Sequence, residues 1–335
     1  MAYRLSLLDK SPLATDESAE QALARTLDLA KRAEAWGFHR FWVAEHHNSP
    51  SLAGPSPEVL IAWILAQTHS LRVGAGGVML QHYSPYKVAE NFNLLASLAP
   101  GRVDLGIGKA PGGLPLSTRA LQQGVNAAEK GDFAAQLAQL NHWLEARNAG
   151  ESDELLATPL PSRPAQRFLL GASEGSARLA AELGWHFVFA AHLNGSERDL
   201  ELALETYHQL SGGQRAIVAV QAIVAASPAE ATLLAADLQH FRVINPHGQS
   251  VTVGTEAQAE AYVRQAGLTD YQIEPRQSAT LKGTAAQVHA QLASLAKRHG
   301  IEEFIIDTPI SEGVARLTSL ALLAEYQPAT TQVPA

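Results

Sequence analysis

Short apolar runs recur along the chain, each followed by a longer stretch in which Ala and Leu return at helical spacing. YRLSLL (residues 3–8) reads as a strand, and ESAEQALARTLDLAKRAEAWG (17–37) as an amphipathic helix stopping at Gly37. The strand RFWVA (40–44), a helix over 56–67, the strand LRVGAGG (71–77) and a helix over 86–98 behind Pro85 come next. RVDLGIG (102–108) is a further strand, and one long helical region is predicted across 119–147. RFLLGAS (167–173) and HFVFAAH (186–192) are short strands joined by the helix SARLAAELG (176–184). AIVAVQAIVAA (216–226) and EFIIDTP (303–309) supply the last strands, and ARLTSLALLAEY (315–326) closes the chain as a helix.

Roughly eight strand and helix units of this kind are the number that closes a parallel barrel, so the predicted fold is α/β, a (β/α)8 TIM barrel. The alternative is an open doubly wound sheet, but its nucleotide fingerprint is missing: DKSPLATDES (9–18), after the first strand, has no glycine. Residues about 240–282 break the rhythm with NPHG, TVGTE and YQIEPRQ, whose Pro, Gly and polar residues interrupt any long periodic element. An insertion after the seventh strand lies either over the barrel mouth as a lid or against its side as a surface excursion. The domain expectation is therefore one barrel over 1–327 carrying that insertion, then a frayed Pro-rich tail at 328–335.

Composition narrows the function. A chain of 335 residues, 46% hydrophobic and 17% charged, has ample core for a globular protein. Its formal charge of −8, with Lys and Arg scattered, opposes binding to nucleic acid or to an anionic membrane. The absence of cysteine removes disulfides, thiolate metal sites and a cysteine nucleophile. No signal-peptide pattern opens the sequence, and its longest apolar run is too short to span a bilayer; the expectation is a soluble cytoplasmic protein.

VAEHHN (43–48) turns an apolar strand abruptly polar. Successive strand side chains face opposite ways, so His46 and His47 do not converge on one metal without a bulge, and the helical HExxH spacing is absent. Metal binding is disfavoured. At the C-terminal end of a barrel strand, His46 is a candidate general acid or base, or else a histidine hydrogen-bonded within the wall. In VGAGGVML, Gly74, Gly76 and Gly77 weaken a strand, which signals either close approach of a flat or bulky group or a simple bulge. DLGIGKAPGG fails both phosphate-loop patterns and leaves Lys109 as a lone cation, able to reach a phosphate or merely solvated. In GASEGS, the residues Ser173, Glu174, Gly175 and Ser176 begin a helix whose N-terminus favours an anion, although ordinary serine capping explains part of the pattern.

In this order, GFHRFWVAEHHN, LRVGAGGVMLQHYSPYKVAENFNLLASLAPGRVDLGIGKAPGG, LLGASEGSARLAAELG and FIIDTPISEGVARLTSLALLAE resemble the bacterial luciferase-like flavin-dependent monooxygenases, from about Leu5 to Glu325. The resemblance implies a barrel binding reduced FMN at its C-terminal mouth, usually in a homodimer. It implies a catalytic role for His46, and a flavin ring lying against Gly76 and Gly77, which many members join by a non-proline cis peptide. It places the flavin phosphate on Lys109 and on Ser173, Glu174, Gly175 and Ser176. Many relatives carry arginine in place of Lys109, and luciferases carry a cysteine where this chain has Gly108, so light emission is not implied. The implied activity is two-component: an NAD(P)H-dependent reductase supplies FMNH2, and O2 and a small organic substrate meet at the mouth, with His82, Tyr83 and His192 placed on the pocket wall by strand-end position. The rival readings are a non-catalytic flavin-binding or stress protein and a deazaflavin-dependent dehydrogenase on the same barrel.

Overall fold

The structure, a computed structural model, describes residues 3–125, 130–146, 155–193, 196–236, 238–246, 250–277 and 279–326. Eight parallel strands close on themselves: β1 (Arg4–Asp9), β2 (Arg40–Val43), β3 (Arg72–Met79), β4 (Val103–Gly108), β5 (Gln166–Gly171), β6 (His186–Ala190), β7 (Ile217–Val224) and β12 (Glu303–Asp307). The ring is completed where β6 pairs with β7 and where β12 pairs with both β7 and β1. Every C-terminal strand end therefore lies on one rim, and helices follow the strands on the outside.

The helices start where the sequence offers caps. Ser18 and Gln21 form a capping box at α1 (Ala19–Ala35), while prolines open α2 (Pro57–Leu65) and α3 (Pro85–Leu98). The single helix expected over 119–147 is not formed. Instead α4 (Pro115–Leu121) ends, Gly124 and Gly131 take left-handed φ values of 82° and 71°, and Asp132 caps a new helix, α5 (Phe133–Glu145). Then follow α6 (Glu174–Glu182) and α7 (Glu197–Leu210), and α8 (Pro228–Leu234) after β7.

The insertion is built around a three-stranded antiparallel sheet, in the order β10 (Gln272–Gln277), β8 (Gln239–Ile244), β9 (Ser250–Val253). A helix obscured by the Pro and Gly on either side of it, α9 (Glu256–Ala266), is capped by Thr255 and stopped by left-handed Gly267, and packs Ala259 and Val263 on Val243. Strand β11 (Thr280–Gly283) returns the chain to β7, leading into α10 (Ala285–His299) and, after β12, α11 (Gly313–Glu325). The expected tail, 328–335, lies outside the described residues.

Strand alternation sorts the core into two layers. Outward positions such as Leu7, Phe41, Val43, Phe187, Phe189, Phe304 and Ile306 join the large cluster under the helices. Inward positions Leu8, Trp42, Phe168, Val188, Ile217 and Ile305 fill the barrel. Below them, the same inward parity buries a charged floor. Arg40 donates to Glu303 at 2.8 Å, to Asp104 at 2.9 Å and to Gln166 at 2.9 Å. Arg72 pairs with the other Asp104 oxygen, Trp42 Nε1 donates to Asp104 at 3.0 Å, and Ser6 donates to Glu303 at 2.6 Å. Two guanidinium groups thus face two carboxylates across β2, β3, β4 and β12.

Breaking one member leaves an uncompensated buried charge. Asp104→Ala is expected to lower unfolding free energy in urea by about 3–5 kcal/mol, whereas Glu197→Ala, which removes an exposed partner of Arg298, costs at most about 1 kcal/mol.

Candidate active site at the barrel rim

Past Val43 the alternation of β2 continues into the polar turn and separates its members. Glu45 and His47 point out of the barrel and His46 points in, the parity of Trp42 and Ala44. The Glu45 carboxylate is buried and accepts three hydrogen bonds: from His47 Nε2 at 2.7 Å, Tyr83 hydroxyl at 2.8 Å and the Met79 amide at 3.0 Å. It ties the end of β2 to the end of β3. The loop after β4 is stitched on as well, because the His47 amide donates to Gly112 oxygen at 2.7 Å and His82 Nε2 donates to Pro111 oxygen at 2.7 Å. A Cβ on Gly113 would lie 2.5 Å from Ser117 Oγ and 2.7 Å from His47 oxygen, so the two loops touch backbone to backbone.

His82 and Tyr83, placed on the pocket wall by strand position, are thus held in fixed bonds. Gln122 Nε2 donates to His82 Nδ1 at 3.1 Å, leaving that ring a neutral imidazole, and burial lowers its pKa accordingly. Burial first, and then the Glu45 charge, push the Tyr83 phenol well above its ordinary range.

Inside the rim, Lys10 follows the end of β1 and Asp307 ends β12, both at inward positions, and His192 lies in the turn after β6; His46 and His192 both feel the Lys10 and Asp307 charges. Lys10 Nζ donates to Asp307 Oδ2 at 2.8 Å, and Gln221 Nε2 donates to that oxygen at 3.2 Å. Asp307 is fully buried; although burial opposes ionisation, Lys10 and the neighbouring His192 hold its carboxyl at about 2. Burial, reinforced by the Lys10 charge, brings His46 down to about 4, and its Nδ1 is buried without a hydrogen-bond partner. His192 is lowered too, chiefly by burial, and its Nδ1 is likewise unpartnered. His240, from β8 of the insertion, is lowered by burial and by the same Lys10. Lys10, Asp307 and His240 were not anticipated; the one signal in the sequence was their polar character at or beyond strand ends, in LLDK and FIIDTP.

The peptide bond between Gly76 and Gly77 is cis, and the register of β3 on β4 shifts between Ala75 and Val78, so the bulge and the special backbone coincide. A Cβ on Gly76 would lie 2.8 Å from Leu8 Cδ1 and 3.0 Å from the Trp42 ring, and one on Gly77 would lie 2.8 Å from Gly106 oxygen. Only glycine fits either place without displacing its neighbours.

Lys109 is exposed at the end of β4, which pairs with β5 as far as Ile107 and Leu169. The two strand ends are therefore neighbours, and Lys109 shares the rim with the start of α6. Ser173 caps that helix, accepting from the Ser176 amide at 3.4 Å, and the two hydroxyls lie 3.2 Å apart. A Cβ on Gly171 would come within 2.4 Å of the Ser176 Cβ, so a glycine there lets the helix start sit directly on β5. Glu174 is turned to Arg178 in a 2.8 Å surface pair, and Gly175 has open space around its Cα. Capping by Ser173 is weak in length, and the first-turn amides have no intrahelical partners, which suits an anion.

A closed parallel barrel with a cluster of ionisable side chains at its C-terminal rim defines the chain as a (β/α)8-barrel protein of the enzyme type. The chain belongs to the luciferase-like monooxygenase family, whose model matches residues 3–303. It is 40% identical over 328 residues to the N-acetyl-S-alkylcysteine monooxygenase of Bacillus subtilis (strain 168), covering 96% of this chain and 97% of that protein. The crystal structure of apo-MsnO8 superposes with a TM-score of 0.77 at 29% identity, covering 96% of this chain and 97% of the other. The fold is shared more widely: an F420-dependent secondary alcohol dehydrogenase superposes with a TM-score of 0.67 at 15% identity, covering 98% of this chain and 100% of the other.

The His46 environment predicts an acid-sensitive fold. An unfolded histidine takes up its proton near 6.5, while native His46 resists until about 4. Between those values the unfolded chain binds more protons, so His46 stability is full above 6.5 and is lost as pH falls toward about 4. Urea unfolding at about pH 7.5 and about pH 5 should show a decline that is smaller by about 2 kcal/mol in His46→Gln. An equal decline in both proteins would place the titration elsewhere.

Proposed function

We propose that this chain is a two-component monooxygenase that uses reduced FMN from an NAD(P)H-dependent reductase to oxygenate a small organic substrate. The observation that supports this reading is the rim itself, where a side-chain-free Gly76–Gly77 backbone, an inward His46, and Lys109 and a serine-capped helix at the ends of two adjacent strands share one barrel end. FMN is a flat ring with an anionic tail. The glycine pair offers a surface without side chains to such a ring, while Lys109 and the Ser173–Ser176 turn suit its phosphate. Ring and phosphate together favour FMN over riboflavin. When bound, reduced FMN supplies the two electrons with which dioxygen gives one oxygen atom to substrate and one to water.

The protein's own part is to position, to exclude water and to move a proton. His46, neutral across the physiological range, can donate or accept a proton at its ring without first losing a charge. Glu45 holds the turn that carries it. Insertion helix α9 is tied to α4 at the rim, where the Leu116 amide donates to Gln265 Oε1 at 3.0 Å and Arg119 donates to Gln265 oxygen at 3.0 Å. With His240 of the insertion near enough to feel the charges of Lys10 and Asp307, this supports the insertion as a cover over the mouth. The substrate class to examine first is the organic sulfides, after the N-acetyl-S-alkylcysteine activity of the Bacillus subtilis relative.

The test is anaerobic titration with FMNH2, followed by oxygen and by product analysis with sulfides. Binding and oxygen-dependent transfer are expected, and His46→Ala should lower turnover by about 10²–10⁴-fold. Tight binding of oxidised FMN with no oxygenated product would favour flavin sequestration, and preference for a reduced deazaflavin would favour a dehydrogenase. Lys109→Ala should weaken FMN by about 10-fold or more while leaving riboflavin unchanged, since only FMN has the charged partner.

A further inference from the structure

The mouth contains more unused hydrogen-bonding capacity than proton transfer at His46 requires. Lys10 spends one contact on Asp307 Oδ2, and its side chain keeps 25% of its exposure. Asp307 Oδ1, His46 Nδ1 and His192 Nδ1 are all buried without a partner. These atoms come from β12, the turn after β2 and the segment after β6, and both His46 and His192 lie near enough to the Lys10–Asp307 pair to feel its charges. His240 joins them from the insertion. Buried polar atoms are rarely left without a partner, and several gathered at a barrel mouth have the capacity to meet a guest.

These side chains do not gather the ligand atoms of a metal site. Among the described residues, the group of three His, Asp or Glu side chains whose ligand atoms lie within 4.8 Å of one another is Glu197, Glu201 and His299, on the outer helices. Lys10 would also repel a cation. What the arrangement offers is a cation, imidazole nitrogens that donate in the Nδ1–H tautomer, and an unpaired carboxylate oxygen.

We propose that Lys10, Asp307, His192 and His240 form the head-group subsite for the substrate, and that the head group is a carboxylate with a neighbouring N–H, as in an N-acylated amino acid. Lys10 and the two imidazoles take the carboxylate, and Asp307 Oδ1 accepts the N–H. The Lys10–Asp307 pair is in place before substrate arrives, and burial keeps the imidazoles neutral, so the guest brings a second anion to a site that already holds a cation. The proposal rests on the monooxygenase reading for the word substrate. Recognition itself can be measured without turnover.

The experiment is calorimetric titration of the full chain, without flavin and with anaerobic FMNH2. The probes are N-acetyl-S-benzylcysteine, N-acetylleucine, the primary carboxamide of each, and the N-methylated form of each acid. At least one acid should bind about tenfold tighter than its carboxamide. That preference should vanish in Lys10→Met/Asp307→Asn, which removes both charges together and avoids a stranded one, and should return in Lys10→Arg. His240→Phe should weaken the acid several-fold without changing affinity for the carboxamide. Asp307→Asn should lose the preference for N–H over N-methyl. Equal binding of acid and carboxamide, no binding of any probe, or a preference that survives Lys10→Met/Asp307→Asn would overturn the subsite. FMNH2 binding is read separately: its failure alongside intact acid discrimination would remove the monooxygenase reading and leave the subsite standing.

Discussion

The buried charge balance at the floor of the barrel is the constraint on which the rest of the molecule depends. Arg40 reaches both Glu303 and Asp104, and Arg72 reaches Asp104, so four strands of the ring are held by one set of charge-assisted hydrogen bonds. Charges buried this deeply are tolerated only when paired and further hydrogen-bonded, and Ser6, Trp42 and Gln166 supply the remaining contacts. This sets strand register from below. With the lower ends of these strands registered, the inward parity of each fixes which residues reach the opposite rim.

That parity gives the rim's carboxylates different tasks. Glu45 faces outward, and with three donors around it acts as a structural tie between the ends of β2 and β3. Asp307 faces inward, with one oxygen shared by Lys10 and Gln221 and the other unpartnered. A satisfied carboxylate makes a rigid wall, and a partly satisfied one retains capacity for a guest. The two histidines of the turn divide in the same way, His47 bonded to Glu45 and His46 directed at the interior.

The strand and helix order was legible because period-two and helical repeats are local properties, and each run was long enough to carry its own signal. The region 119–147 failed for a local reason as well: apolar spacing persists across it, but Gly124 and Gly131 leave the helical region of backbone space and Asp132 caps a separate helix. Within the insertion, Pro and Gly obscured α9, which is short and gains its stability by packing on Val243. The family resemblance carried His46, the glycine pair and the Lys109 region, because those motifs are contiguous in the chain.

What the sequence alone determined is the set of parts: eight parallel strands with helices between them, an insertion after the seventh, no thiol chemistry, and a glycine pair and histidine at strand ends. What only the tertiary structure decided is which distant residues meet. Lys10 and Asp307 lie 297 positions apart and become a 2.8 Å pair because β1 and β12 are the strands that close the ring. His240, on a separate sheet, feels the charges of both. Local periodicity states which face of its own strand a side chain takes; ring closure, a non-local event, determines what stands opposite it.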